Sequence, residues 1–170
     1  MSVTAPKGFS AAGVSAGIKR GGALDLAVVA ADTAVPTAAV FTTNMAAAAP
    51  VRLSRKHLAA SPRARAVVLN SGCANAATGE RGRAVSELTA NRTGELLGCA
   101  PEDVLVCSTG TIGTHLAPEA VTEGVAEAVR ALGDTVEDGN AAARAIMTTD
   151  TVPKEVVVRA DGFTVGGMAK

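Results

Sequence analysis

The chain has 170 residues, with 16 Lys+Arg set against 16 Asp+Glu. That length encloses a sizeable core in one domain, and the balanced charge offers no basic footprint for nucleic acid or an anionic membrane. Phe9, Phe41 and Phe163 are the whole aromatic complement, which excludes the stacking platforms that hold single-stranded bases.

The core must therefore be filled by Ala, Val, Leu and Ile, and small side chains bring backbone layers close. Charged residues make up 19%, below the ~25% of an average soluble domain. A surface kept for a partner accounts for this, and so does a simple skew towards Ala, Gly and Val. Cys73, Cys99 and Cys107 have no C-x-x-C spacing, and His57 and His115 lie in no ligand motif. No metal is expected, and an unframed odd cysteine count reads as reduced and cytoplasmic. Residues 1–8 lack a charged segment followed by an apolar one, which argues against a secretory signal. No run approaches the ~18 apolar residues of a membrane span.

In chain order, residues 1–12 read as an extended lead-in and 13–22 as a glycine-rich loop. Leu24 to Ala31 is a predicted strand, and Thr37 to Thr43 a second, joined through Val35-Pro36 as a hairpin. Ala46 to Ala49 is too short for a helix before Pro50; Leu53 to Ala60 is a short one, stopped by Ser61-Pro62. Ala64 to Leu69 predicts a buried strand running into a polar turn, Asn70 to Asn75. Gly79 to Gly98 is an amphipathic helix with Val85, Leu88, Leu96 and Leu97 inward. Val104 to Val106 is a strand. Pro118 opens a helix to about Leu132, with Gly133 as its stop. Asp138 or Asn140 caps a further helix over 141–147. Lys154 to Arg159 and Phe163 to Met168 form a hairpin about Asp161-Gly162. The sum is one domain over 1–170, of mixed α/β (α+β) class, with sheets covered by helices.

Three clusters carry chemistry. Cys107-Ser108-Thr109-Gly110 ends a strand in hydroxyls and a glycine. One hydroxyl and an adjacent N–H there converge on an oxygen that becomes negative during acyl transfer; the same residues also make ordinary turns. Thr148-Thr149-Asp150-Thr151 follows a helix end, where hydroxyls serve backbone groups or hold a polar ligand. Asn70, Ser71 and Asn75 follow a strand, where they bind substrate or build Asx turns.

Order and spacing say more than any cluster alone. G-V-x-A-G-I-K ends at Lys19, and V-F-T-x-N spans Val40 to Asn44. A-V-V-L-N-S-G-x-A-N spans Ala66 to Asn75, and V-C-S-T-G-x-I-G spans Val106 to Gly113. A-I-M-T-T-D-T-x-P-K runs from Ala145 to Lys154, and T-V-G-G-M-A-K from Thr164 to Lys170. The whole chain resembles the N-terminal half of the ornithine acetyltransferase (glutamate N-acetyltransferase) family of arginine biosynthesis. The resemblance implies a layered sandwich of β-sheets covered by helices, of the self-processing ornithine acetyltransferase/aminopeptidase type. It implies an oxyanion hole from the Thr109 hydroxyl and the Gly110 N–H, and substrate contacts from Thr148 and Lys170. Asn70, Ser71, Asn75 and Thr149 are site neighbours.

The family's nucleophile is a threonine freed by self-cleavage after a segment beyond Gly-Gly-Met-Ala-Lys, with its own α-amine as base. That threonine is expected on a β chain cut from the same precursor, this chain being the α half of an α2β2 assembly. The implied reaction is a ping-pong transfer of acetyl from N-acetylornithine to glutamate without a cofactor, and acetyl-CoA use is left open. The rival readings are a related self-processing aminopeptidase or amidase, a non-catalytic small-ligand domain, and a structural scaffold. Cys107, beside the oxyanion pair, reads as a buried small apolar residue.

Overall fold

The computed structural model describes residues 2–170, so Met1 of the expected lead-in lies outside the described residues. Strand β1 spans Phe9–Val14 and β2 spans Leu26–Pro36. Helix α1 covers Ala49–Ala60, β3 Arg63–Cys73 and α2 Gly79–Leu97. Then come β4 (Val104–Thr111), α3 (Pro118–Arg130) and α4 (Val136–Ala145). The hairpin β5 (Lys154–Ala160) and β6 (Phe163–Ala169) closes the series.

The first four strands form one sheet in the order β1-β2-β3-β4. The pairs β1–β2 and β2–β3 are antiparallel, and β3–β4 is parallel. Side chains alternate across it. Ala12, Val14, Leu26, Val28, Ala66, Val68, Val104 and Val106 face α1, α2 and α3. Ala11 and Ala27 face α4 through Ala142, Ala145 and Ile146. The fold is thus helix on sheet on helix, with β5–β6 as a second, two-stranded sheet. Small residues set its close spacing: a Cβ on Gly13 of β1 would stand 2.2 Å from the Ala141 carbonyl oxygen of α4.

Several expected elements moved. The strand over 37–43 is absent and no hairpin turns at Val35-Pro36; β2 runs on to Pro36, and 37–44 is irregular with Val40 fully exposed. Both edges of β2 are already occupied by β1 and β3, so the apolar segment after Pro36 finds no free ladder. Pro50 opens α1 instead of preceding it, as its missing N–H permits in a first turn. The polar stretch Asn70 to Cys73 is a continuation of β3, not a turn. Helix α4 starts earlier than expected. Its cap is Thr135, which accepts from the Asp138 N–H, while Asp138 accepts from the Thr135 N–H as a capping box. The helices α2 and α3 and the β5–β6 hairpin lie close to where periodicity placed them.

Strand β4 is an edge, yet half of that edge is covered. Ser54 of α1 donates its hydroxyl to the Val106 carbonyl and accepts from the Val106 N–H, both at 2.9 Å. His57 Nδ1 meets the Val104 carbonyl at 2.8 Å. Unpaired strand groups thereby find partners without another strand. Ser54→Ala leaves a buried donor and acceptor unmatched, a cost of about 1–3 kcal/mol. The expected result is a fall of several degrees in the unfolding midpoint of the otherwise intact protein, read by calorimetry.

Candidate active site at the end of β4

Beyond Val106, among the described residues, no α1 side chain hydrogen-bonds to the strand. Backbone groups along a strand alternate in direction. Val104 and Val106 point theirs outwards at α1, and the Thr111 carbonyl points inwards, accepting from the Ala74 N–H at 2.9 Å. The same parity carries to Ser108, while Gly110 departs from regular strand geometry. The ladder is also irregular here: Gly72 faces Gly110, while Cys73 faces both Thr109 and Thr111.

Gly110 has φ 132°, a conformation other residues avoid. A Cβ on it would lie 2.3 Å from the Gly72 carbonyl carbon. Strands β3 and β4 touch backbone to backbone at this point, and no side chain fits between them. Cys107 corrects an expectation: it is exposed, not buried, because its side chain lies on the face away from Val106, where α4 packs on β1 and β2.

Ser71 and Asn70 sit beside Thr109 and Ser108 in the ladder. Their side chains are committed to the chain itself. The Ser71 hydroxyl donates to the Ala145 carbonyl at the end of α4, and Asn70 Nδ2 donates to the Cys73 carbonyl at 2.9 Å. Asn75, fully buried at φ 46°, turns towards α2. It donates to the Gly82 carbonyl and to Ser86 Oγ and accepts from Thr78. These three residues therefore build the site's frame.

By contrast, among the described residues the hydroxyls of Thr109, Thr148 and Thr149 have no hydrogen-bond partner. Thr149 is exposed, and Thr109 and Thr148 are half-buried. Through Ser71, the segment that follows α4 is drawn to the strand next to Thr109.

Asp150 gathers the rest. Its carboxylate accepts from the Thr148 N–H at 3.2 Å, pairs with Lys154, and lies 3.9 Å from Lys170 Nζ. Sequence reasoning assigned no role to Asp150; its place four residues before Lys154 was the available signal. The Lys154 hydrogen bond, then the Thr148 N–H, hold its pKa down to about 2. Among the described residues no three His, Cys, Asp or Glu side chains cluster as metal ligands. No helix among them is long and apolar enough to cross a membrane. A cavity of about 580 Å³ between the starts of α1 and α2 is lined by none of the sequence-predicted site residues and touches the frame only at Thr78.

The matching family model covers residues 10–170 and is described as the ArgJ family. The chain belongs to the ArgJ family. It is 50% identical over its full length to the arginine biosynthesis bifunctional protein ArgJ of Bifidobacterium longum, spanning 44% of that protein. It is 47% identical to the protein of the same name from Thermosynechococcus vestitus, spanning 41% of it. The chain thus spans less than half the length of the curated relatives it matches. Among solved structures, ornithine acetyltransferase from Mycobacterium tuberculosis, complexed with ornithine, superposes with TM-score 0.94 at 47% identity. That match covers 99% of this chain and 90% of the other. The ArgJ protein of Bacillus halodurans gives TM-score 0.91 at 35% identity, covering 99% and 89%. These matches agree with the layered α+β fold of this ArgJ chain.

The depressed pKa of Asp150 has a direct consequence. A carboxylate whose folded pKa lies below its unfolded value stabilises the fold above about pH 4 and loses that contribution as pH falls through about 2. Asp150→Asn should therefore unfold more readily than wild type at pH 6, with the gap closing below pH 2. Thermal unfolding across that range checks this, and a constant gap would show that Asp150 is not the titrating group.

Proposed function

We propose that this chain carries the oxyanion hole and the amino-acid contacts of an ornithine acetyltransferase. The observation that carries the reading is the conjunction at the end of β4: a Thr109 hydroxyl without a hydrogen-bond partner among the described residues, beside Gly110, where only a glycine fits. The names of the relatives and the ornithine in the M. tuberculosis structure support it.

The nucleophile is a threonine of a second chain, freed by self-cleavage of a common precursor. Two facts support a split: this chain covers 44% of one relative yet 90% of a solved homologous chain. Val156, Val158, Phe163 and Val165 share one face of the β5–β6 hairpin and are all half-exposed or more. The second chain covers that face and completes the site, in an assembly of two copies of each.

In the first half-reaction the threonine Oγ attacks the acetyl carbonyl of N-acetylornithine, and its proton passes to the threonine α-amine. The carbonyl oxygen takes the displaced electron pair, and the Thr109 O–H and Gly110 N–H donate to it. Collapse breaks the C–N bond, and the α-amine returns the proton to ornithine as it leaves. The acetyl-threonine is then attacked by the glutamate amine through the same oxyanion, giving N-acetylglutamate and free threonine. Lys170 meets the α-carboxylate of either amino acid, and Thr148 and Thr149 supply hydroxyls beside it. No cofactor takes part; acetyl-CoA serves as an alternative first donor where the site admits it.

In the assembled two-chain enzyme, Thr109→Ala removes one oxyanion donor. Turnover should fall by roughly 10²–10³ with substrate affinity little changed, measured as acetyl transfer from N-acetylornithine to glutamate. Unchanged turnover sinks the oxyanion assignment. Equal acetyl release with water in place of glutamate would instead identify a hydrolase. Intact mass and N-terminal sequencing of the co-purifying chain should find a threonine at its start.

A further inference from the structure

The motif G-V-x-A-G-I-K ends in Lys19, a residue without a part in the chemistry above. Its ammonium donates to the Leu24 carbonyl at 2.9 Å and to the Met147 carbonyl at 2.7 Å. Its N–H donates to Asp25 Oδ2 at 2.7 Å, and Asp25 Oδ1 accepts from the Ala16 N–H at 2.6 Å. Asp25 is fully buried, so the loop bearing Lys19 is pinned to the start of β2. The side-chain stem lies on Gly72: a Cβ there would be 3.0 Å from Lys19 Cγ. Gly72 in turn lies against Gly110.

Lys19 thus has one end on the glycine behind the oxyanion strand and the other on the residue that precedes Thr148. The carbonyls just past a helix C-terminus lack partners of their own and favour a cation. Ser71 ties the same segment at Ala145, but with a neutral hydrogen bond. Burial pulls the Lys19 pKa below the ordinary lysine range, while Asp25 opposes the shift.

We propose that Lys19 is a positioning residue, setting the place of Thr148 relative to Thr109 and Gly110 and so the affinity for the amino-acid part of the substrate. It rests on the reading of Thr148 as a substrate contact. Asp150 orders the segment from the far side through the Thr148 N–H, so Lys19 and Asp150 hold Thr148 between them.

The test uses the self-processed two-chain enzyme, with kcat and KM measured for N-acetylornithine in wild type, Lys19→Met, Thr148→Ala and the double variant. Met keeps the stem on Gly72 and removes the donors. KM should rise about tenfold, the scale of one charge-assisted hydrogen bond, with kcat within about threefold. In the double variant KM should equal that of Thr148→Ala alone. Lys19→Leu, which also removes the donors, supplies the same comparison if the Met variant does not accumulate, and Lys19→Arg, which retains charge and donors, should keep KM near wild type. A defect confined to kcat, an unchanged KM in the folded variant, or KM effects that multiply overturns the proposal. Thr148→Ala with wild-type KM overturns the substrate role of Thr148 and the inference with it; multiplying effects overturn only the role of Lys19.

Discussion

The site depends on β4 remaining an edge strand that is covered along half its length. An unpaired strand edge must find hydrogen-bond partners, and Ser54 and His57 of α1 supply them for Val104 and Val106. Past Val106, among the described residues, no α1 side chain bonds to the strand, and Ser108 to Gly110 lie on that stretch. A further strand on this edge would consume the same donors. The sheet order β1-β2-β3-β4 leaves that edge free of a strand.

The second constraint is proximity between backbones. Gly72 and Gly110 meet with no room for a Cβ, and Lys19 lies on the far side of Gly72. This contact sets how near the segment after α4 comes to β4. Side-chain chemistry divides accordingly. Ser71, Asn70, Asn75 and Thr78 spend their hydrogen bonds on the frame, as buried polar groups must. The hydroxyls of Thr109, Thr148 and Thr149 have no partner among the described residues. The low aromatic content has the same root, since a core of Ala and Val lets α4 sit directly on β1.

Much of the fold was legible locally. The periodicity of α3, the length of α2 and the Asp161-Gly162 turn are short-range signals, and the structure carries all three. The failures were cases where a neighbour decides. Thr37 to Thr43 has strand-like composition, yet β2 had no free edge to offer it. Asn70 to Cys73 reads as a turn but stays in the ladder, since β4 pairs with it in parallel. Cys107 follows three buried residues and is exposed, because its side chain lies on the face away from Val106, where α4 packs on β1 and β2. In the candidate site, the family resemblance pointed to Thr109, Gly110, Thr148 and Lys170. Asp150 and Lys19 were legible only as members of motifs, their partners being carbonyls and amides that no pattern of side chains reports.

The sequence by itself determined the family, the mixed α and β class and the segments that bear hydroxyls, because motif order and hydrophobic period are properties of the chain alone. The tertiary structure alone decided which hydroxyls are free. It also decided which strand is an edge and how Lys19 and Asp150 bracket Thr148. These depend on hydrogen bonds between residues as far apart as Lys19 and Met147, and a backbone donor or acceptor has no signature in the sequence until the fold gives it a partner.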